Sequence, residues 1–106
     1  MADLTQKEWR DQLEKDNNAV ILDVRTSEEI EEGFIKGAVA MDIQNSEEFY
    51  KKAQELDASK NYFIYCRSGG RSGQACALLN SLGINNTYNL VGGILAWNGE
   101  LIKDQP

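Results

Sequence analysis

The chain contains no histidine, so a cysteine–histidine pair of the protease kind cannot be assembled from it. Cysteine is scarce too. Its two cysteines, Cys66 and Cys76, fall short of the four or more that staple small secreted domains, and the expectation is a reducing, cytoplasmic setting. Apolar runs stay far below the ~18 residues that span a bilayer, and no basic start leads into an apolar stretch. No membrane segment or targeting leader is expected. A basic surface is also missing: the formal charge of −6 argues against nucleic acid or an anionic membrane as partner, because both demand a cationic patch. Carboxylates are themselves absent from one long stretch. Every acidic side chain lies in Met1–Lys60 or from Glu100 onward, so the only charges in Asn61–Gly99 are Arg67 and Arg71. Deeper burial of this half would explain its neutrality, but both arginines stand beside Cys66, which points to a small cationic site in an anionic protein.

What is present suffices for one core. With 106 residues, 42% of them apolar, the whole of 1–106 reads as a single soluble domain with no room for a second. Thr5 and Glu8 have capping-box spacing, Leu4 and Trp9 flank them as a hydrophobic staple, and a helix over 6–15 follows. Ala19-Val20-Ile21-Leu22 is a short continuous apolar run, as in a strand covered on both faces, with Asp23 at its end. Thr26 and Glu29 repeat the capping box before a short helix that stops near Gly33. Ala38–Met41 reads as a strand. Asn45 and Glu48 open a helix carrying Phe49, Ala53 and Leu56 at helical spacing. Tyr62-Phe63-Ile64-Tyr65 is the clearest strand, and Ala75, Leu78, Leu79 and Leu82 mark a helix ended by Gly83. Thr87–Leu90 is a weaker strand, a last helix lies around Ile94–Trp97, and the tail through Pro106 is expected to fray. This alternation implies an α/β fold with a mainly parallel central sheet and helices on both faces. Ligands of such sheets bind beyond the carboxyl ends of the strands, the edge where Asp23 and Cys66 both stand.

Cys66-Arg67-Ser68-Gly69-Gly70-Arg71-Ser72 joins a strand to a helix. Its glycines permit backbone conformations in which successive amide N–H groups converge on one point, and the following helix adds the positive end of its dipole. The result is an anion cradle around Cys66, in which a thiol is expected to ionise at neutral pH and act as a nucleophile. An inert core thiol would keep different company. Cys76, inside the following helix among apolar neighbours, reads as packed core; at ~1.5 Å rise per residue it is too far from the cradle for a disulfide.

Taken together, Asp23-Val24-Arg25, Glu29, Gly33–Ala38, Tyr65-Cys66 with its loop, Val91-Gly92-Gly93-Ile94 and Ala96-Trp97 resemble the rhodanese homology domain over nearly the whole chain. Phe34 and Lys36 depart from that pattern, which often has histidine and proline there. The resemblance implies a sulfurtransferase in which Cys66 forms a persulfide from thiosulfate or another small anionic sulfane-sulfur donor. The sulfur then passes to a thiol, to cyanide or to a sulfur-acceptor protein. It implies that Arg67, Ser68, Gly69, Gly70, Arg71 and Ser72 shape the donor pocket, with Asp23 at its edge. Arg67 and Arg71 would bind the anionic part of the donor. Arg25 and Glu29 would form a scaffold ion pair, and Gly92, Gly93 and Trp97 a structural turn and core position. No cofactor or metal is expected, and the chain is expected to be a monomer.

Other readings differ at identifiable residues. Cysteine phosphatases and arsenate reductases use a related cradle with arginine six residues after the nucleophile, where this chain has Ser72; Arg71 comes one residue early. Thioredoxin-type chemistry needs a second cysteine three residues away, and a Walker loop needs a closing Gly-Lys pair. A non-catalytic rhodanese-fold interaction module is the alternative of a different class. Such modules commonly lack the cysteine that this chain keeps.

Overall fold

The computed structural model describes residues 2–103; the end of the tail expected to fray, 104–106, lies outside the described residues. The order is β1 (Ala2–Leu4), α1 (Gln6–Lys15), β2 (Ala19–Asp23), α2 (Ser27–Glu31), β3 (Val39–Ala40), α3 (Ser46–Ala53), β4 (Asn61–Tyr65), α4 (Gly70–Ser81), β5 (Thr87–Leu90) and a 3₁₀ turn at Gly93–Ala96. Both expected capping boxes form: Thr5 and Thr26 accept from the amides of Glu8 and Glu29, and each glutamate returns the bond. The cap expected at Asn45 does not. Its side chain makes no bond to the helix backbone and donates instead to Glu48 Oε2 at 3.3 Å. The sequence also gives no sign of β1, three residues at the sheet edge whose pairing is with β5.

All pairings are parallel, and the five strands run in the order β1-β5-β4-β2-β3. Strand parity then divides the core. Val20, Leu22, Tyr62, Ile64 and Cys66 face one side, where Phe49 and Ala53 of α3 and Ala75, Cys76 and Leu79 of α4 pack. Ala19, Ile21, Phe63 and Tyr65 face the other, against Trp9 of α1 and Ile30 of α2. The departure at Phe34 is absorbed there: Phe34 is buried and pairs antiparallel with Ile102 through reciprocal backbone bonds of 2.8 Å.

Side-chain period fixes the site's geometry. Cys66 follows Tyr65 at the carboxyl end of the central strand β4, so its sulfur points to the face on which α4 starts. Asp23, in register with Tyr65, points to the opposite face.

Candidate active site

The segment from Cys66 to Ser72 turns from β4 into α4 through Gly69, whose φ of 109° lies in the left-handed region open to glycine. That turn brings the Gly69 amide to 3.1 Å from Cys66 Sγ, where it donates, and places the Ser72 hydroxyl at 3.4 Å. Cys66 itself is only 1% exposed, beneath a rim of exposed Arg67, Ser68 and Gly70. Burial pushes the thiol up. The Ser72 hydroxyl and the backbone amides of Ser72, Gly69 and Ser68 outweigh it, and the net result is a thiol below its ordinary value. The lining that the loop turns toward the sulfur is therefore polar, although its other neighbours are core side chains.

The loop is held from behind by the 3₁₀ turn. Ile94 N donates to Cys66 O at 3.0 Å and Leu95 N to Arg67 O at 3.1 Å, which requires the backbones to approach closely at Gly93. A Cβ there would lie 2.5 Å from Arg67 O and 2.7 Å from Cys66 O, on a residue with φ of +58°. We expect Gly93→Ala to cost about 2–4 kcal/mol and to push the loop off its geometry. Gly37→Ala, at φ +88° with nothing within 4 Å of its Cβ, should incur the backbone part alone. Urea unfolding of both variants, with the alkylation rate of Cys66, checks this; equal cost at the two positions would contradict it.

Arg71 reaches Glu29 with both terminal nitrogens, at 2.7 Å each. Glu29 was expected to pair with Arg25, and that expectation is corrected. Arg25 donates to Asp23 through Nε and Nη2, the latter at 2.7 Å, and touches Glu29 only through its backbone carbonyl at 3.3 Å. The reason is direction: the Glu29 carboxylate caps α2 at Thr26 and faces the loop, whereas the Arg25 fork folds back under the sheet edge to Asp23 and Gly33 O.

The Arg71 guanidinium holds the Glu29 carboxyl down to about 2 from an ordinary 4.5. A lowered acid stabilises the fold fully above its unfolded value and loses that contribution as pH falls through the folded one. The stability difference between wild type and Glu29→Gln is thus expected to be constant above pH 4.5 and to shrink between 4.5 and about 2. Urea midpoints across that range measure it, and a difference independent of pH would contradict the pair.

Asp23 is placed away from the sulfur. It is 1% exposed, salt-bridged to the equally buried Arg25, and accepts from the Tyr65 hydroxyl at 2.5 Å. Strand parity sends it to the face opposite Cys66, where it joins Arg25 and Tyr65 in a buried network rather than standing beside the sulfur. Among the described residues, Arg67 has no side-chain partner, which leaves it as the loop's uncommitted cation. Cys76 is buried and free, like Cys66, but burial pushes its thiol up to about 11, offset only partly by the Thr87 hydroxyl. No cluster of three metal-ligating side chains stands together among the described residues, and no helix there is long and apolar enough to cross a membrane.

Two features at the site had no sequence signal. Asn89 of β5 contacts Ser72 and the loop carbonyl of Gly69, and Glu29 engages Arg71 across 42 residues. Both contacts depend on strand order and helix orientation.

The chain and its fold have known relatives. The rhodanese-like domain family matches residues 5–100. The chain is 38% identical over 91 residues to YtwF of Bacillus subtilis, which carries a sulfurtransferase name, covering 86% of this chain and 84% of that protein. It is 38% identical over 80 residues to a sulfurtransferase of Allochromatium vinosum, covering 76% of this chain and 72% of that one. A tRNA uridine(34) hydroxylase of Cytophaga hutchinsonii is 36% identical over 86 residues, but the match covers 79% of this chain and only 28% of the hydroxylase. Among solved structures, a rhodanese-like domain protein from Staphylococcus aureus superposes with a TM-score of 0.84 at 28% identity, over 99% of this chain and 100% of that one.

Proposed function

The chain belongs to the rhodanese-like domain family, whose members similar to it include sulfurtransferases, and from that premise we propose that Cys66 is its sulfur-accepting nucleophile. The carrying observation is the sulfur at the tip of β4, with the Gly69 amide 3.1 Å away and donating to it. Backbone amides fixed by the loop stabilise a thiolate without moving, and the same donors can stabilise the persulfide anion that replaces it.

The reaction has two halves. In the first, the Cys66 thiolate attacks the outer sulfur of an anionic sulfane donor such as thiosulfate; the new S–S bond forms as the donor's own S–S bond breaks, and sulfite leaves with that electron pair. In the second, a thiolate or cyanide attacks the outer sulfur of the persulfide, and Cys66 departs as a thiolate. Arg67, exposed on the rim, is the cation placed to meet the charged end of the donor, with exposed Ser68 and Gly70 beside it. Arg71 is occupied by Glu29 and chiefly holds the loop in shape, while its charge still attracts the thiolate. The proposed unit is one domain acting without metal or cofactor.

The scheme requires ping-pong kinetics. Initial rates with thiosulfate and a dithiol acceptor should give parallel double-reciprocal lines, and intersecting lines would show that both substrates must be bound together. Replacing Arg67 with alanine is expected to raise the KM for thiosulfate about tenfold or more, the worth of one charge-assisted contact; an unchanged KM removes Arg67 from the donor site. The match to a tRNA uridine(34) hydroxylase covers only 28% of that protein, and its activity is not carried over to this chain.

A further inference from the structure

The Ser72 hydroxyl has a single proton and more than one place to put it. Its oxygen lies 3.4 Å from Cys66 Sγ, 3.2 Å from Gly69 O, and in close contact with Asn89 Oδ1. Asn89 is buried on β5, and its amide group is pinned by its other end: Nδ2 donates to Asp3 Oδ1 of β1 at 2.9 Å and to Gly69 O at 3.3 Å. With the nitrogen committed on that side, the carboxamide oxygen is turned toward Ser72 and serves as an acceptor. Ser72 is wholly buried, so water does not supply an alternative partner.

We propose that Asn89 is a positioning residue that competes with the Cys66 sulfur for the Ser72 hydroxyl proton. The inference rests on Cys66 being the nucleophile. While Cys66 is a thiol, Ser72 donates to Asn89 Oδ1, and the thiol hydrogen can point to the Ser72 oxygen. When Cys66 ionises, the best use of the Ser72 proton is the thiolate, and turning the hydroxyl toward sulfur gives up the bond to Asn89. Asn89 therefore opposes ionisation through Ser72, and the backbone amides of Gly69, Ser68 and Ser72 are left as the donors that do not have to choose. Through its hold on the Asn89 amide, the Asp3 carboxylate sets the terms of that competition from the sheet edge.

Other charged and titratable groups lie around the sulfur, among them Cys76 and Tyr62 in the same core cluster. Arg67 stands on the loop, Arg71 on α4 is paired with Glu29 of α2, and Asp42 also acts on Arg71. Asp23 and Tyr65 meet on the opposite face of the sheet. None of them hydrogen-bonds Ser72.

The test is the pH dependence of Cys66 alkylation by iodoacetamide, followed on the Cys66 peptide, in wild type, Asn89→Leu, Ser72→Ala and the double variant. The midpoint should move down in Asn89→Leu and up in Ser72→Ala, and alkylation below the wild-type midpoint should speed up by on the order of three- to tenfold in Asn89→Leu. In the Ser72→Ala background, Asn89→Leu should have no effect on the midpoint. If Asn89→Leu raises the midpoint, leaves it in place, or shifts it equally with and without Ser72, the proposal is overturned. The wild-type protein gives a second readout that needs no substitution: the Asn89 side-chain carboxamide NMR signal should titrate with the Cys66 midpoint, and a carboxamide indifferent to it also overturns the proposal. Because alkylation measures ionisation directly, a failure here is separable from a failure of sulfur transfer.

Discussion

A Cys66→Ser variant is expected to keep its fold and to lose sulfur transfer by on the order of 10³-fold or more. The loop lowers the Cys66 thiol by aiming the Ser72 hydroxyl and several amides at one atom, but a serine hydroxyl starts so far above neutrality that the same donors leave it protonated. It also offers no sulfur on which a persulfide can be built. The fold should tolerate the change, since the replacement oxygen inherits the Gly69 donor at the same place. Initial rates with thiosulfate and a thiol acceptor, beside a Cys76→Ala control, measure the effect. Activity of Cys66→Ser within tenfold of wild type would mean that another group carries the sulfur. The control should be active, because Cys76 is core and its thiol is held near 11.

The largest loss of stability is expected from Asp23→Asn, about 3–5 kcal/mol. Asp23 and Arg25 are both almost fully buried, and the carboxylate takes bonds from Arg25 Nε and Nη2, from the Arg25 backbone amide and from the Tyr65 hydroxyl. Removing its charge leaves a guanidinium in the interior without compensation, which costs more than the intact pair contributes. Replacing Arg25 with methionine in the same chain should recover part of the loss, because the stranded charge goes with it. Urea unfolding reads both effects. A loss below ~1 kcal/mol would show that the pair is solvated. The same variant bears on the donor site: with its carboxylate on the face opposite Cys66, Asp23→Asn should leave the KM for thiosulfate unchanged in molecules that remain folded, whereas a donor-contacting Asp23 would raise it.

Much of this architecture is legible in the residues because the signals are local. Thr5 with Glu8 and Thr26 with Glu29 announce helix starts through contacts three residues apart, and both form. The β-branched and aromatic runs before Asp23 and before Cys66 announce β2 and β4, whose parallel pairing follows from the intervening helices. β1 is illegible because three residues carry no period, and its strand character comes from docking on β5. The chemistry of the loop is legible for the same reason as the helices: cysteine, glycines and arginines lie within one turn of chain.

Partner choice is another matter. Arg25 has carboxylates two and four residues away, and sequence spacing does not decide between Asp23 and Glu29. Strand parity and the helix cap decide it, giving Asp23 to Arg25 and Glu29 to Arg71. Asn89 is invisible on similar grounds, since it lies 17 residues from Ser72 and meets it only because β5 runs beside β4. The loop arginines show the same dependence on the fold. Two cations beside a cysteine look alike in the sequence, yet a carboxylate from a distant helix pairs with one of them.

Intact mass spectrometry is the most direct measurement of the central idea. Wild-type protein incubated with thiosulfate, and separately with a glutathione persulfide donor, should gain the mass of one sulfur atom on the peptide containing Cys66, and a thiol acceptor should remove it. No gain from either donor, or a gain that persists in Cys66→Ser, would contradict the account.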